Sequence, residues 1–218
     1  MCLLTSVICC KPPDETNYAN ELEDCLSAED VQLLNRLTAD FEDYIIAVYD
    51  TDRISAYKQY LKEVKEMKIG SDFFESLRFV RDLQRLRESD FFKNSRAKLS
   101  IIEGYYAKDK KDTLLSSLPD ISEGSIDEIR DEAYDHMTAY DPKGVYIQCL
   151  KKKNDHDLIA LYLEKLTNGL VIIPTISAGA LYDTLSNDDY SQDLIRVFIA
   201  MNIHYEMMIM LGEEDVQD

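Results

Sequence analysis

The chain has 218 residues and a formal charge of −18, from 24 Lys and Arg against 42 Asp and Glu; it is 45% hydrophobic and 30% charged, with 7 Gly and 5 Pro. That length suffices for a substantial core, and many apolar residues with few turn formers describe helices joined by short connections. The charge excludes a general nucleic-acid binder, and a surface adhering by itself to anionic lipid, unless the basic residues gather on one face.

The first ten residues, MCLLTSVICC, carry no Lys or Arg, and Leu3, Leu4, Val7 and Ile8 form an apolar run far short of the roughly 20 residues needed to span a bilayer. A polar stretch with Pro12-Pro13 follows, suited to a flexible tether over residues 11–26. Val7-Ile8-Cys9-Cys10 resembles the end of a bacterial lipoprotein signal, with Cys10 as the lipidated cysteine; the departure is Cys9, where Gly, Ala or Ser is usual. Together with the layout of short tether, Ser-capped acidic helix and helical domain, the chain resembles the small all-helical lipoproteins of Gram-negative bacteria. That resemblance brings no known active site. It implies a cell-envelope address, periplasmic or surface, with the membrane as partner through acyl chains on Cys10. Each buried CH₂ of such a chain contributes about 0.8 kcal/mol, so the folded part needs no membrane-binding surface. The alternative is the ordinary N-terminus of a cytoplasmic protein, and the missing basic residues speak for it.

Cys25 and Cys149 are the cysteines beyond the first ten residues. In an oxidising compartment they would pair and pin the tether to the domain; a buried thiol at Cys149, on an apolar helix face, is the preferred expectation.

Along the chain, Val31, Leu34, Leu37, Phe41, Tyr44 and Val48 place one stripe on a helix over 27–50, capped by Ser27 with Asp30 three residues on. Ile54, Tyr57, Leu61 and Val64 mark a second helix over about 52–68, and a third begins at Ser71 with Phe74, Leu77 and Val80 inward. The tetrapeptide SDFF occurs at 71–74 and 89–92 and reads as two helix starts sharing a cap. Phe92, Ser95, Leu99, Ile102 and Tyr106 continue as a fourth helix, and a short helix ends near 118. LPDISEGS at 118–125 is the most evident loop and a possible sub-boundary within a helical domain over 27–218. Beyond it come a stripe through Ile126, Ile129, Ala133, Met137 and Tyr140, then helices over 145–153 and 155–167 ended by Asn168-Gly169. An extended linker over 170–173 leads to a helix with Pro174 in its first turn, running to about 185. The last helix, about 189–211, is apolar around most of its circumference; Arg196, Asn202, His204 and Glu206 argue for a central core helix rather than a membrane span. The expected fold is all-α, a compact bundle of about eight to ten mostly antiparallel helices.

Chemistry-bearing patterns are sparse. None of the three histidines has a glutamate three residues before it, and no zinc-protease, nucleophile-elbow, phosphate-loop, dinucleotide or calcium-loop motif occurs. Glu128, Glu132 and His136 share a helical strip that would form one wall of a metal site, or simply a solvated acidic face. SNDDYSQD and KNDHD lack the glycine of a tight calcium loop and suit helix caps better. The local anomaly is basic: Arg78, Arg81, Arg85, Arg87, Lys93, Arg96 and Lys98 stand against Asp82, Glu88 and Asp90. Arg78, Arg81 and Arg85 share a face and are the candidate ligand-binding residues, since a guanidinium fork suits phosphate or carboxylate; neutralising the chain's own acids is their other use.

The leading functional expectation is therefore a non-enzymatic, lipid-anchored envelope protein that binds a partner protein or an acidic ligand, with no cofactor, metal or nucleic acid. Two alternatives stay open: a metal-dependent or hydrolytic enzyme using scattered carboxylates and histidine, and a cytosolic helical adaptor.

Overall fold

The computed structural model describes residues 17–99, 102, 138–168, 170 and 172–214. The expected lipidation residue Cys10, the strip of Glu128, Glu132 and His136, and the loop over 118–125 lie outside these.

Among the described residues the fold is all-α, with nine helices when the last rod is counted once, and one two-stranded sheet. A 3₁₀ turn at Asn20–Leu22 precedes α1 (Ala28–Tyr49), α2 (Arg53–Lys65), α3 (Ser71–Phe74), α4 (Leu77–Glu88) and α5 (Asp90–Ser95). Strands β1 (Arg96–Lys98) and β2 (Thr138–Tyr140) follow, then α6 (Val145–Lys153), α7 (Asp157–Thr167) and α8 (Pro174–Thr184). The final rod is α9 (Asp193–Ile199), a π-helical segment (Ala200–Tyr205) and α10 (Glu206–Glu214).

Local chemistry accounts for the boundaries. Ser27 caps α1 by accepting from the Asp30 amide at 3.2 Å, and Asp52 caps α2 by accepting from the Ser55 amide at 3.1 Å. The two SDFF copies start helices by different means. Ser89 caps α5 through the Phe92 amide at 3.1 Å, whereas Ser71 already lies within α3 behind a Gly70 cap. The α2 end is a Schellman motif: the Lys68 amide donates to the Glu63 carbonyl and the Met67 amide to the Val64 carbonyl, with Met67 at φ 52°.

The expected fourth helix stops at Ser95. Residues 96–98 instead pair antiparallel with 138–140, Arg96 opposite Tyr140 and Lys98 opposite Thr138, so Tyr140 belongs to a strand and not to the expected helical stripe. The reason is long-range: the Arg96 guanidinium finds partners on β2 and α10 that a continuing helix would forgo. Gly144 seals this corner, because a Cβ there would lie 3.0 Å from the Ser95 carbonyl oxygen.

The expected tether over 11–26 also shortens. Tyr18, Ala19, Leu22 and Leu26 are buried in the core, so from residue 17 onward the segment is packed structure. It is fixed by the Asn35 side-chain oxygen accepting the Ala19 amide at 2.8 Å, by Lys153 on Asp24 at 2.5 Å, and by a disulfide between Cys25 and Cys149, whose Cα atoms are 5.6 Å apart. The preferred expectation of a free buried thiol thus gives way to the bonded pair, since the packed turn carries Cys25 onto the buried face of α6.

The last rod runs through the centre, against α1 and α8. Asp193–Leu211 is long and apolar enough to cross a membrane, yet 83% of that window is buried inside the fold, as expected of a core helix.

Candidate functional site

The candidate ligand arginines lie on α4, which packs against α1 through Phe79, Asp82 and Leu86 and turns its other side to water. The structure does not deploy the three guanidinia alike. Arg78 is paired with Asp40 and reaches Asp43 at 3.5 Å, both on α1. Arg85 Nη1 lies 3.1 Å from Asp82 Oδ1. Arg81 bends back along the helix, its Nε donating to the Leu77 carbonyl at 3.2 Å. Among the described residues neither Arg81 nor Arg87 meets a carboxylate, and both are exposed.

Beneath the helix, Asp82 is 1% exposed and lies beside Asp40, two acids close together near Arg78, Arg85 and the buried Tyr205. Among the described residues its Oδ2 has no hydrogen-bond partner. Burial first, then the charge of Asp40, pushes the Asp82 carboxyl up to about 6, with Arg85 opposing. Asp40 also borders a groove of about 840 Å³ along α1, lined further by Glu23, Glu29, Asn35 and Arg36.

The other polar clusters are interior. Glu42 accepts from Arg53 Nε at 2.9 Å, Tyr18 at 3.0 Å, Arg196 Nη1 at 3.2 Å and Tyr57 at 3.3 Å, while Arg196 also pairs with Asp193. Arg96 grips Glu206 with both Nη atoms, at 2.5 and 3.1 Å, and stacks over Phe92 and Tyr140. In the π segment Asn202 donates to the Tyr146 hydroxyl at 3.0 Å and accepts from Tyr162 at 3.4 Å. His204 meets the Tyr60 hydroxyl at 3.3 Å through Nδ1, as expected of a core histidine, and is ringed by Phe41, Phe74 and Phe79. Burial lowers its imidazole to about 3, so it is neutral at ordinary pH.

Sequence reasoning missed Glu42 and Asp82 as hubs. Their only local signal was an acid at an inward position of an apolar stripe, Glu42 beside Phe41 and Asp82 between Phe79 and Leu86. Among the described residues no group of three His, Cys, Asp or Glu side chains could hold a metal ion. The arrangement defines a helical protein with charged groups tied off inside and an arginine-bearing helix outside. Compared with known proteins, the chain matches no family model, no curated protein and no solved structure.

Proposed function

We propose that this is a non-enzymatic, lipid-anchored protein of the cell envelope, held to the membrane through Cys10, that binds a partner protein or an acidic ligand through the face of α4 bearing Arg78, Arg81 and Arg85. The observation that carries this reading is the Cys25–Cys149 disulfide. Disulfides persist in oxidising compartments such as the periplasm and cell surface and are reduced in the cytosol. This one fastens the first packed turn of the domain to α6, where an acylated tether would pull on it. The α4 arginines support the binding half of the reading, since a local excess of cations in a chain of charge −18 suits an anionic ligand.

The test is intact mass and membrane fractionation of protein expressed from its native upstream sequence, beside Cys10→Ala, with thiol alkylation under non-reducing conditions. The expected result is an acylated N-terminal cysteine, membrane association lost in Cys10→Ala, and two thiols protected from alkylation until reduction. An unmodified soluble product with all thiols reactive would overturn the envelope reading and favour the cytosolic adaptor.

A further inference from the structure

The outer side of α4 combines features that a purely structural helix does not need. Leu77 is 80% exposed and Val80 is 51% exposed, one turn apart on the same side. Arg81 lies beside them and is exposed; its Nε donates to the Leu77 carbonyl at 3.2 Å, bringing the guanidinium back toward the turn that carries Leu77. Arg87 continues the exposed strip two turns on, and Arg85, exposed although paired with Asp82, flanks it.

The inner side is built quite differently. There Phe79 and Leu86 fill the core, and Arg78 is consumed by Asp40 and Asp43. The helix is thereby fixed at two levels, by its apolar stripe and by ion pairs to α1, so the outer residues are displayed on a rigid element. Arginine is enriched at protein interfaces, where its guanidinium fork meets a partner's carboxylates, and the exposed aliphatic side chains beside it add apolar surface that a partner can cover.

The geometry points to the Leu77, Val80, Arg81 and Arg87 face of α4 as a docking surface for one kind of occupant: a segment of another protein that presents carboxylates interspersed with aliphatic side chains. The inference rests on the binding half of the function proposed above, names its partner chemistry, and narrows its site on α4 to Arg81 with Arg87 and the two aliphatic side chains, because Arg78 and Arg85 are already paired with acids. The argument for this occupant is charge complementarity. Arg81 and Arg87 are the α4 cations without a carboxylate among the described residues, so they can meet new carboxylates without giving up existing ion pairs. A small anion or a bare polyanion would leave Leu77 and Val80 in water; a partner with aliphatic residues at matching spacing covers both sets at once.

The experiment uses the full chain and a fluorescein-labelled synthetic helix of repeating Glu-Glu-Leu-Glu-Glu-Leu-Leu, with a poly-glutamate of equal charge as the second probe, read by anisotropy at two salt concentrations. Three variants are compared: Arg81→Glu with Arg87→Glu, Leu77→Ser with Val80→Ser, and Ile176→Ser as an exposed control on α8. All changed side chains face solvent, and circular dichroism with sedimentation checks that fold and oligomeric state match the wild-type chain. The expected result is salt-sensitive binding of the helical peptide, weaker binding of poly-glutamate, a loss of about tenfold or more in the charge-reversed and the Ser variants, and none in Ile176→Ser. Peptide binding unchanged by both α4 double variants would overturn this site while leaving acidic-partner binding standing. Absence of binding by either probe to the wild-type chain would sink the binding reading itself. A concentration-dependent dimer abolished by Arg81→Glu with Arg87→Glu would overturn the proposal in favour of self-association.

Discussion

Arg196 Nη1 lies 3.2 Å from Glu42 Oε2 in the interior of the protein, joining α9 to α1 across 154 positions of sequence. Both side chains are at most 5% exposed, and Glu42 is met in addition by Arg53, Tyr18 and Tyr57. One carboxylate therefore gathers the segment at 17–26, both N-terminal helices and the central rod.

Removing either partner leaves the other buried charge with one remaining counter-ion, Arg53 for Glu42 or Asp193 for Arg196, so the cost is up to the roughly 3–5 kcal/mol typical of breaking a buried pair. Glu42→Leu and Arg196→Met are each expected to lower stability by up to that order in urea unfolding, and the two together by clearly less than the sum of the single changes. A double variant as unstable as the sum of the single ones would show that the two residues act independently.

Asp82 gives stability a pH dependence of defined sign. Its carboxyl is raised to about 6 in the folded chain by burial and by Asp40, so the native state holds the proton more tightly than the unfolded chain. The resulting stabilisation is full below the unfolded carboxylate value and is lost as pH rises to about 6, on the order of 2–3 kcal/mol. Asp82→Asn, which cannot ionise, should flatten the decline between pH 4 and 6 and be the more stable form at pH 7. Parallel stability profiles of the two proteins would refute the raised Asp82 carboxyl.

His204 acts in the opposite direction. Its imidazole is lowered to about 3 by burial, so the unfolded chain takes up the proton first and stability falls as pH drops from about 6.5 toward 3. His204→Phe removes that liability while filling the same aromatic cage. Its stability relative to wild type should rise by up to about 1.4 kcal/mol per pH unit below 6. A difference independent of pH would mean that the histidine is charged or solvated in the native state.

Met67 occupies the left-handed position of the Schellman motif that ends α2, at φ 52°, where glycine is the usual residue. The side chain is exposed and makes no core contact, so Met67→Gly is expected to stabilise by about 1 kcal/mol and Met67→Val to destabilise by at least as much. Thermal unfolding of the two variants decides it. A loss in Met67→Gly would show that flexibility gained by the unfolded chain outweighs the relieved strain.

How far the sequence revealed this structure depended on the range of the forces involved. The α1 stripe, its Ser27 cap and the buried last rod follow from periodicity and local hydrogen bonding, which a short window contains. The polar residues that argued against a membrane span are each answered inside the fold: Arg196 by Glu42, Asn202 by Tyr146, His204 by Tyr60 and Glu206 by Arg96. The strand at 96–98 was hidden because a helical stripe ran through Ser95 and Leu99, while the partner that overrides it stands at 138–140. The division of labour among Arg78, Arg81 and Arg85 was likewise out of reach. The three share a face in sequence, but which of them meets an acid depends on where α1 lies.

The bond between Cys25 and Cys149, 124 positions apart in sequence, closes the chain between them into a covalent ring. A protease that cuts the backbone once anywhere between those cysteines produces two fragments that stay tied together. The nicked protein would run near its full mass until a reductant is added, and the half bearing Cys10 would still carry α6 and everything that follows it. Wherever the chain meets a protease, the ring allows one cut inside it without release of the C-terminal half.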